Sequence, residues 1–540
     1  MLFAPQLPEL GGACYVTMSI LVEGMMNFKK RAEKQRISQR RLTSVTVLAL
    51  LWLAAAPAMA QNAPLSTPTK ACISCHRLVT PGIVGEWEKS QHAHMTPAKS
   101  LELPTIERRM SATDVAENLR EYAVGCAECH TMNTEFHPED SYAHNGFTIH
   151  TVVSPSDCNT CHPIETAEYS DNIMSQAYAN LMHNSTYTLM VDNTNGLAEF
   201  SGTGFIHIKA DKTSNADSCL ACHGTVVKVT GTETRATLMG PMEFPTLSNW
   251  PNAGVGRINP DNTEGSCAAC HPRHQFSIEM ARQPYICAQC HKGPDVPAYK
   301  VYSVSVHGNI QKSMDKEWDY RAVPWVVGRD FTAPTCAACH SSEIVDESGT
   351  VIAKRTHRMN DRLPWRIFGL PYAHPHPIKA DTSKIKNKAG LGLPTELSGE
   401  IVPEFLISKE EMAKRRQTMK KVCSACHSQQ WVDGHFARLE RSIETSNFMT
   451  LQATKVLSTA WKEGLAQGLP QGANPFDEPL EIMWIEQWLF YGNSVRFASA
   501  MGGADYGVFA NGRWTQSKNL REMADYLRFL RATTEAQSND

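Results

Sequence analysis

Eight copies of one pentad constrain this 540-residue chain more than any other feature. Each reads Cys-x-x-Cys-His, and they end at His76, His130, His162, His223, His271, His291, His340 and His427. The paired cysteines are Cys72 and Cys75, Cys126 and Cys129, Cys158 and Cys161, Cys219 and Cys222, Cys267 and Cys270, Cys287 and Cys290, Cys336 and Cys339, and Cys423 and Cys426. The pentad is the attachment signature of c-type haem: two thiols bond the porphyrin and the adjacent His ligates iron from one face. A zinc half-site does not demand a trailing His every time. Of 17 cysteines only Cys14 falls outside the pentads, so no thiol is left for disulfides or catalysis. The expectation is eight covalent c-type haems. Porphyrin faces then supply much of the apolar material of the interior. The fold class this implies is mainly α: a multihaem cytochrome c of short helices and loops around its haems, followed by a C-terminal bundle of long helices.

The start of the chain reads as an export signal. Lys29 to Arg41 is basic, Val45 to Ala56 is apolar, and Ala58-Met59-Ala60 is a small-x-small cleavage site. Residues 1–60 are therefore expected to be a signal peptide cut after Ala60, with residues 1–24 an over-extended start. Haem attachment after export places the mature chain in the periplasm or an equivalent compartment. Residues 1–60 hold seven Lys/Arg against three Asp/Glu, so their removal takes the net charge of −3 four units further down. That acidity disfavours nucleic acid as a partner and favours a redox partner with a basic patch, such as another c-type cytochrome. No second apolar stretch is long enough to span a membrane.

Two regions follow. Residues 61–407 form a haem-dense domain with seven pentads. Within it, 224–266 reads as an extended loop or hairpin, and 371–407, rich in Pro and Gly, as a surface segment. Residues 408–540 change grammar. Ser408-Lys-Glu-Glu411 matches a capping box opening a helix into the eighth pentad. Ala453, Leu457, Ala460 and Trp461 share one helical face, Ile482, Ile485 and Leu489 another, and Leu520, Met523, Leu527 and Leu530 a third.

Thirteen of the 21 histidines lie outside the pentads. An electron-transfer haem takes a second strong ligand, whereas a catalytic haem needs an open face. His92, His274, His307 and His357 are the leading candidates for second ligands, with His183 and His435 behind them. His144 and His150 compete for one role. His274 stands three residues past His271, too close to cap the same iron, so it is expected to reach a neighbouring haem. His94, His137, His207, His374 and His376 read equally well as ordinary buried or surface histidines, and the last two also as the lining of a substrate channel. Asp295, soon after the sixth pentad, reads from position alone as a turn residue after Gly293-Pro294 ahead of a proton-relaying carboxylate.

Over residues 70–530 the chain resembles the octahaem hydroxylamine oxidoreductase family. The likeness rests on the eight irregularly spaced pentads, on Cys270-His-x-Arg-His274-x-Phe-Ser277, on Cys290-His-x-Gly-x-Asp295, on His307-Gly, on Thr-His357 and on the helical C-terminus. No pentad carries Lys for His, unlike the pentahaem ammonia-forming nitrite reductases. The resemblance implies a homotrimer in which the fourth haem, on Cys219, Cys222 and His223, is open and catalytic, and Asp295 is the active-site carboxylate. The oxidising members have an Asp-His pair where this chain has Asp295-Val296. They also have a Trp-Thr-Tyr run whose Tyr is cross-linked to a neighbouring subunit's active haem, and here the run is Trp514-Thr515-Gln516. Tyr506 or Tyr491 substitutes only in another register. Without the cross-link the macrocycle is undistorted, which favours delivering electrons. The expectation is an enzyme that reduces nitrite to nitric oxide, hydroxylamine or ammonium. The alternatives are oxidation of hydroxylamine or hydrazine, and a non-catalytic electron conduit.

Overall fold

The two cysteines of each pentad are three positions apart and the His follows at once, so one helical turn gathers all three groups on one side. The first cysteine of every pentad accordingly lies in a helical turn. Cys126–His130, Cys219–His223 and Cys336–His340 are five-residue helices, and Cys267–Ala269 is a 3-10 turn. Polar caps start many of these turns. Ser66 accepts the Thr69 N–H at the head of α1 (Thr67–Val79), and Thr335 accepts the Ala338 N–H at the seventh pentad. The structure, a computed structural model, describes residues 63–202 and 204–539. The expected signal peptide and Cys14 lie outside these residues.

The described part of the chain falls in one unit, Asn62–Asp540. Up to residue 407 its longest helix is α1, of 13 residues. Small antiparallel hairpins are interspersed. In one, β1 (Ser141–His144) pairs β2 (Phe147–His150) across Asn145 and Gly146, both at positive φ. That is the Asn-Gly chemistry of a tight hairpin turn. The helix α2 (Pro155–Asn159), capped by Ser154 and Asp157, then carries the third pentad's first cysteine. The 224–266 segment is a hairpin of β3 (Lys228–Thr237) and β4 (Gly240–Ser248), whose tip exposes Leu238 and Met239.

After Ser408, whose side chain accepts the Glu411 N–H, the helices lengthen. They are α3 (Lys409–Ser424), α4 (Gln429–Lys462), α5 (Pro479–Ile485), α6 (Asn493–Met501) and α7 (Arg513–Asn539). A π-helical stretch, Glu486–Gly492, joins α5 to α6, so helix continues without a break from Leu480 to Met501 but is underwound in its middle. Ala453, Leu457, Ala460 and Trp461 of α4 are buried with Leu480, Trp484, Trp488, Met523 and Leu527 in one apolar cluster. Burying each large side chain there stabilises the fold by about 1.5–3 kcal/mol. Ile482 is the exception among the expected stripes, pointing outward at 43% exposure.

The 371–407 segment is not a surface loop. Tyr372, His374, His376 and Thr395 are buried. The Tyr372 hydroxyl donates to the Leu397 carbonyl and meets Thr454 on α4 at 3.0 Å. Turn-rich composition marked irregular backbone correctly, but polar anchors to α4 satisfy that backbone inside the protein.

Candidate multihaem active centre

None of the sixteen pentad cysteines is in a disulfide. Cysteines of different pentads are neighbours: Cys158 and Cys267, Cys222 and Cys290, and Cys287 and Cys336. Cys72 neighbours Cys126, Cys129 neighbours Cys161, Cys270 neighbours Cys287, and Cys339 neighbours Cys423. The pentads therefore run in space as first, second, third, fifth, sixth, seventh, eighth. The fourth branches from the sixth.

Three pentad histidines are oriented as metal ligands require. Nδ1 donates to the His150 carbonyl in His130 (2.8 Å), to the Ala177 carbonyl in His223 (3.1 Å) and to the Met359 carbonyl in His340 (3.1 Å). His76 Nδ1 meets the Thr80 hydroxyl at 2.8 Å. A carbonyl only accepts, so Nδ1 holds the proton and Nε2 keeps its lone pair for a metal. These residues fit c-type haem.

Several second histidines stand where an opposite ligand would. Two imidazoles bonded at about 2.0 Å to one metal from opposite sides place their ring centroids about 6.3 Å apart. His144 faces His76 at 6.1 Å, His92 faces His162 at 6.3 Å, and His307 faces His427 at 6.0 Å. His357 neighbours His271, and His274 neighbours His130 in the second pentad, not its own. His150 is also 6.1 Å from His130, but its own carbonyl takes the His130 Nδ1 proton. It therefore lies behind that ring and not across an iron from it, which removes it from the axial set. His144 and His150 do not compete. Antiparallel pairing puts His144 with Phe147 and His150 with Ser141, on opposite faces of the hairpin. The Asn145-Gly146 turn with strict alternation is the sequence signal that separates them. His435 is screened from His427 by the Trp431 ring, which stacks on both. His183 packs edge-on to Tyr178 and faces no pentad histidine.

Around the fourth pentad the surroundings differ. Among the described residues no histidine faces His223 at the spacing of the three pairs above. Two charged groups approach it instead, Asp295 and Arg366. Burial lowers the His223 pKa, the Ala177 carbonyl and Asp295 oppose that, and Arg366 adds to it. Asp295 also neighbours His291 of the sixth pentad, and its backbone carbonyl is held by Asn493 Nδ2 at 3.0 Å. Arg366 lines a cavity with Tyr187, His374, Thr382 and Ile385. Burial lowers its pKa, and Tyr187 opposes that shift. His374 is pushed down to about 3 by burial and then by Arg366, and His376 falls well below its ordinary value for the same reasons. Both are neutral at pH 7, so the fixed charge at this cavity is the Arg366 cation. Sequence reasoning missed Arg366, because one Arg among many gives no local signal. Gln516 is buried within its own chain, its amide 3.5 Å from Ser446, whereas Trp514 is exposed.

The fold and these sites define a multihaem cytochrome c. Residues 256–364 match the family described as "Seven times multi-haem cytochrome CxxCH", residues 205–292 "Cytochrome c3", and residues 157–240 "Cytochrome c554 and c-prime". A solved "Hypothetical multiheme protein" superposes with a TM-score of 0.83 at 42% identity, over 88% of this chain and 98% of that one. The "reducing HAO-like protein complex" of Kuenenia stuttgartiensis has the same fold, with a TM-score of 0.59 at 19% identity over 87% of each chain. A "Probable nitrite reductase-hydroxylamine oxidoreductase fusion protein" of the same organism is 23% identical over 427 residues, 77% of this chain; the chain spans only 40% of that relative's length. The chain belongs to the multihaem cytochromes c. No described helix is long and apolar enough to cross a membrane.

Proposed function

We propose that this chain is an exported octahaem oxidoreductase that reduces nitrite at the haem held by Cys219, Cys222 and His223. The observation that carries this reading is that Asp295 and Arg366 both act electrostatically on His223, and that Arg366 lines a cavity with no carboxylate among its lining residues. The haem, when bound, supplies an iron that exchanges electrons with a small nitrogen compound. Arg366 attracts and orients an anion, and a buried cation without a partner gains most from one. Nitrite carries that charge at neutral pH, whereas hydroxylamine does not. Asp295 hands over a proton as N–O bonds break. His374, neutral, lines the cavity without repelling cations or binding anions strongly. The fourth pentad's branch position supports an electron path that ends there, fed through the sixth by a c-type cytochrome or similar donor. Gln516 lacks the phenol that the oxidising relatives use. A homotrimer is part of the proposal. Exposed Leu197, Phe200, Phe205 and Ile206 on one hairpin, together with Trp514, form apolar surface that subunit contacts would cover.

The test is an anaerobic assay of the holoprotein with nitrite plus a reduced dye, run beside hydroxylamine plus an oxidised acceptor, with products identified. Nitrite reduction is expected to dominate. In Arg366→Gln the KM for nitrite should rise at least tenfold while the KM for hydroxylamine stays put. Faster hydroxylamine oxidation, or no turnover with all irons six-coordinate, defeats the proposal.

A further inference from the structure

Asp295 and Arg366 act on His223 from separate segments of the chain, and one buried side chain bonds to both segments. Asn493, the first residue of α6, is 0% exposed. Its Nδ2 donates to the Asp295 carbonyl at 3.0 Å and to the Leu489 carbonyl at 2.8 Å. Its Oδ1 accepts the N–H of Gly369, three residues past Arg366, at 3.2 Å. The same oxygen accepts Arg496 Nη2 at 2.6 Å. A primary amide has two N–H donors and two acceptor lone pairs, and here all four are used. Carbonyls only accept, whereas a backbone N–H and a guanidinium only donate. The Asn493 amide therefore has a single orientation that satisfies its neighbours.

The helix itself sets Asn493 up for this task. Asn493 directly follows the π-helical stretch, and its backbone N–H goes to the Phe490 carbonyl. Its side chain takes the Leu489 carbonyl, the acceptor that a regular α-helix would give to that N–H. Arg496, also 0% exposed, ties Asn493 to Asn447 of α4, whose Oδ1 accepts Nη1 at 3.1 Å. Asn447 grips both backbone groups of Ala373, accepting the N–H at 3.0 Å and donating to the carbonyl at 2.9 Å. The backbone between Arg366 and His374 is thus held at Gly369 and at Ala373, by two amides that one guanidinium joins. Asp295 is tied to the same cluster through Asn493 alone.

We infer, resting on the function proposed above, that Asn493 is a positioning residue for the fourth-haem site. It fixes Asp295 relative to the Arg366 segment, so that the proton donor and the anion-binding cation serve one bound molecule. Its four bonds use the whole amide, so Asn493 acts through these two groups and not on the substrate.

Asn493→Asp separates the two arms. Its carboxylate still accepts from Gly369 and Arg496 but cannot donate, so the Asp295 and Leu489 carbonyls lose their partner. In holoprotein with full haem content, kcat for nitrite should fall about tenfold or more while KM stays within about twofold. Asn493→Ala releases both arms, so KM should rise as well. A double-mutant cycle with Asp295→Asn identifies the route. With Asp295 already replaced, Asn493→Asp should lower kcat little further. Effects that multiply, or a normal kcat in Asn493→Asp, overturn the positioning role. Crystal structures of the native and Asn493→Asp holoproteins decide without any assay: the Asp295 carbonyl should leave residue 493 and its carboxylate shift relative to His223, with Gly369 in place. An unmoved Asp295 overturns the role whatever the substrate. Native protein that does not reduce nitrite defeats only the function proposed above, and the two structures still judge Asn493. If Asn493→Asp does not take up its haems, Asn493→Ala carries the same cycle and the same crystallographic comparison.

Discussion

Replacing His144 by Ala tests the axial assignment most directly. The His144 ring stands 6.1 Å from that of His76, against about 6.3 Å for two imidazoles on one iron. Its Nδ1 is buried and unpartnered, so nothing else in the protein claims it. The Asn145-Gly146 turn fixes its position, and alternation along β1 keeps the replacement on the same face. Alanine cannot reach the iron, and no described side chain other than His144 faces His76 in this way. The haem of the first pentad should therefore become five-coordinate. On the proposed arrangement with an open fourth haem, the irons that bind carbon monoxide in the reduced protein should rise from about one to about two per chain. The high-spin fraction seen by electron paramagnetic resonance should rise by the same single haem. Titration with carbon monoxide followed by absorbance reads the number directly. His150→Ala serves as the control and should leave it unchanged. An unaltered count in His144→Ala, or an increase in His150→Ala, would refute the geometric assignment.

Asp295→Asn should lower nitrite turnover about a hundredfold or more, as expected for a lost proton donor, with haem content intact; near-normal turnover would make Asp295 only the turn residue that its Gly-Pro context describes. Gln516 lies against Ser446 of its own chain, so boiling in detergent should release single chains, and a detergent-resistant trimer would point to Tyr491 or Tyr506 as a link. Burial pushes the Glu481 carboxyl up to about 7, against hydrogen bonds from the Glu478 backbone and Trp461. Its folded pKa exceeds the unfolded one, so the native state binds the extra proton, and stability should fall by on the order of 3 kcal/mol as pH rises from about 4.5 to 7. Denaturant midpoints at pH 5 and pH 8 check this, and Glu481→Gln should flatten the difference. Leu457→Ala, at a fully buried site among Trp461, Leu480 and Met523, should cost about 2–5 kcal/mol in the same assay without changing haem spectra.

Much of this protein follows from local sequence. The pentad is a local chemical requirement, since two thiols and a histidine must share one helical turn, so sixteen cysteines and eight histidines could be assigned without any fold. The C-terminal helices were equally legible, because Ser408 is a local cap and the α4 stripe of Ala453, Leu457, Ala460 and Trp461 follows helical period. Ile482 shows where periodicity fails, in a helix whose π-helical continuation shifts the face presented to the core. What sequence could not decide was every relation between distant segments. His92 meets His162, and His307 meets His427, across gaps that no spacing rule spans. The fourth pentad neighbours the sixth and not the fifth. Asn493 bonds both Asp295 and Gly369, 198 and 124 positions away. Arg366 reaches His223 from 143 positions away. Each of these depends on chain packing. Local signals set which atoms a residue offers, and only the tertiary structure sets which other atoms lie within the few ångströms over which coordination and proton transfer act.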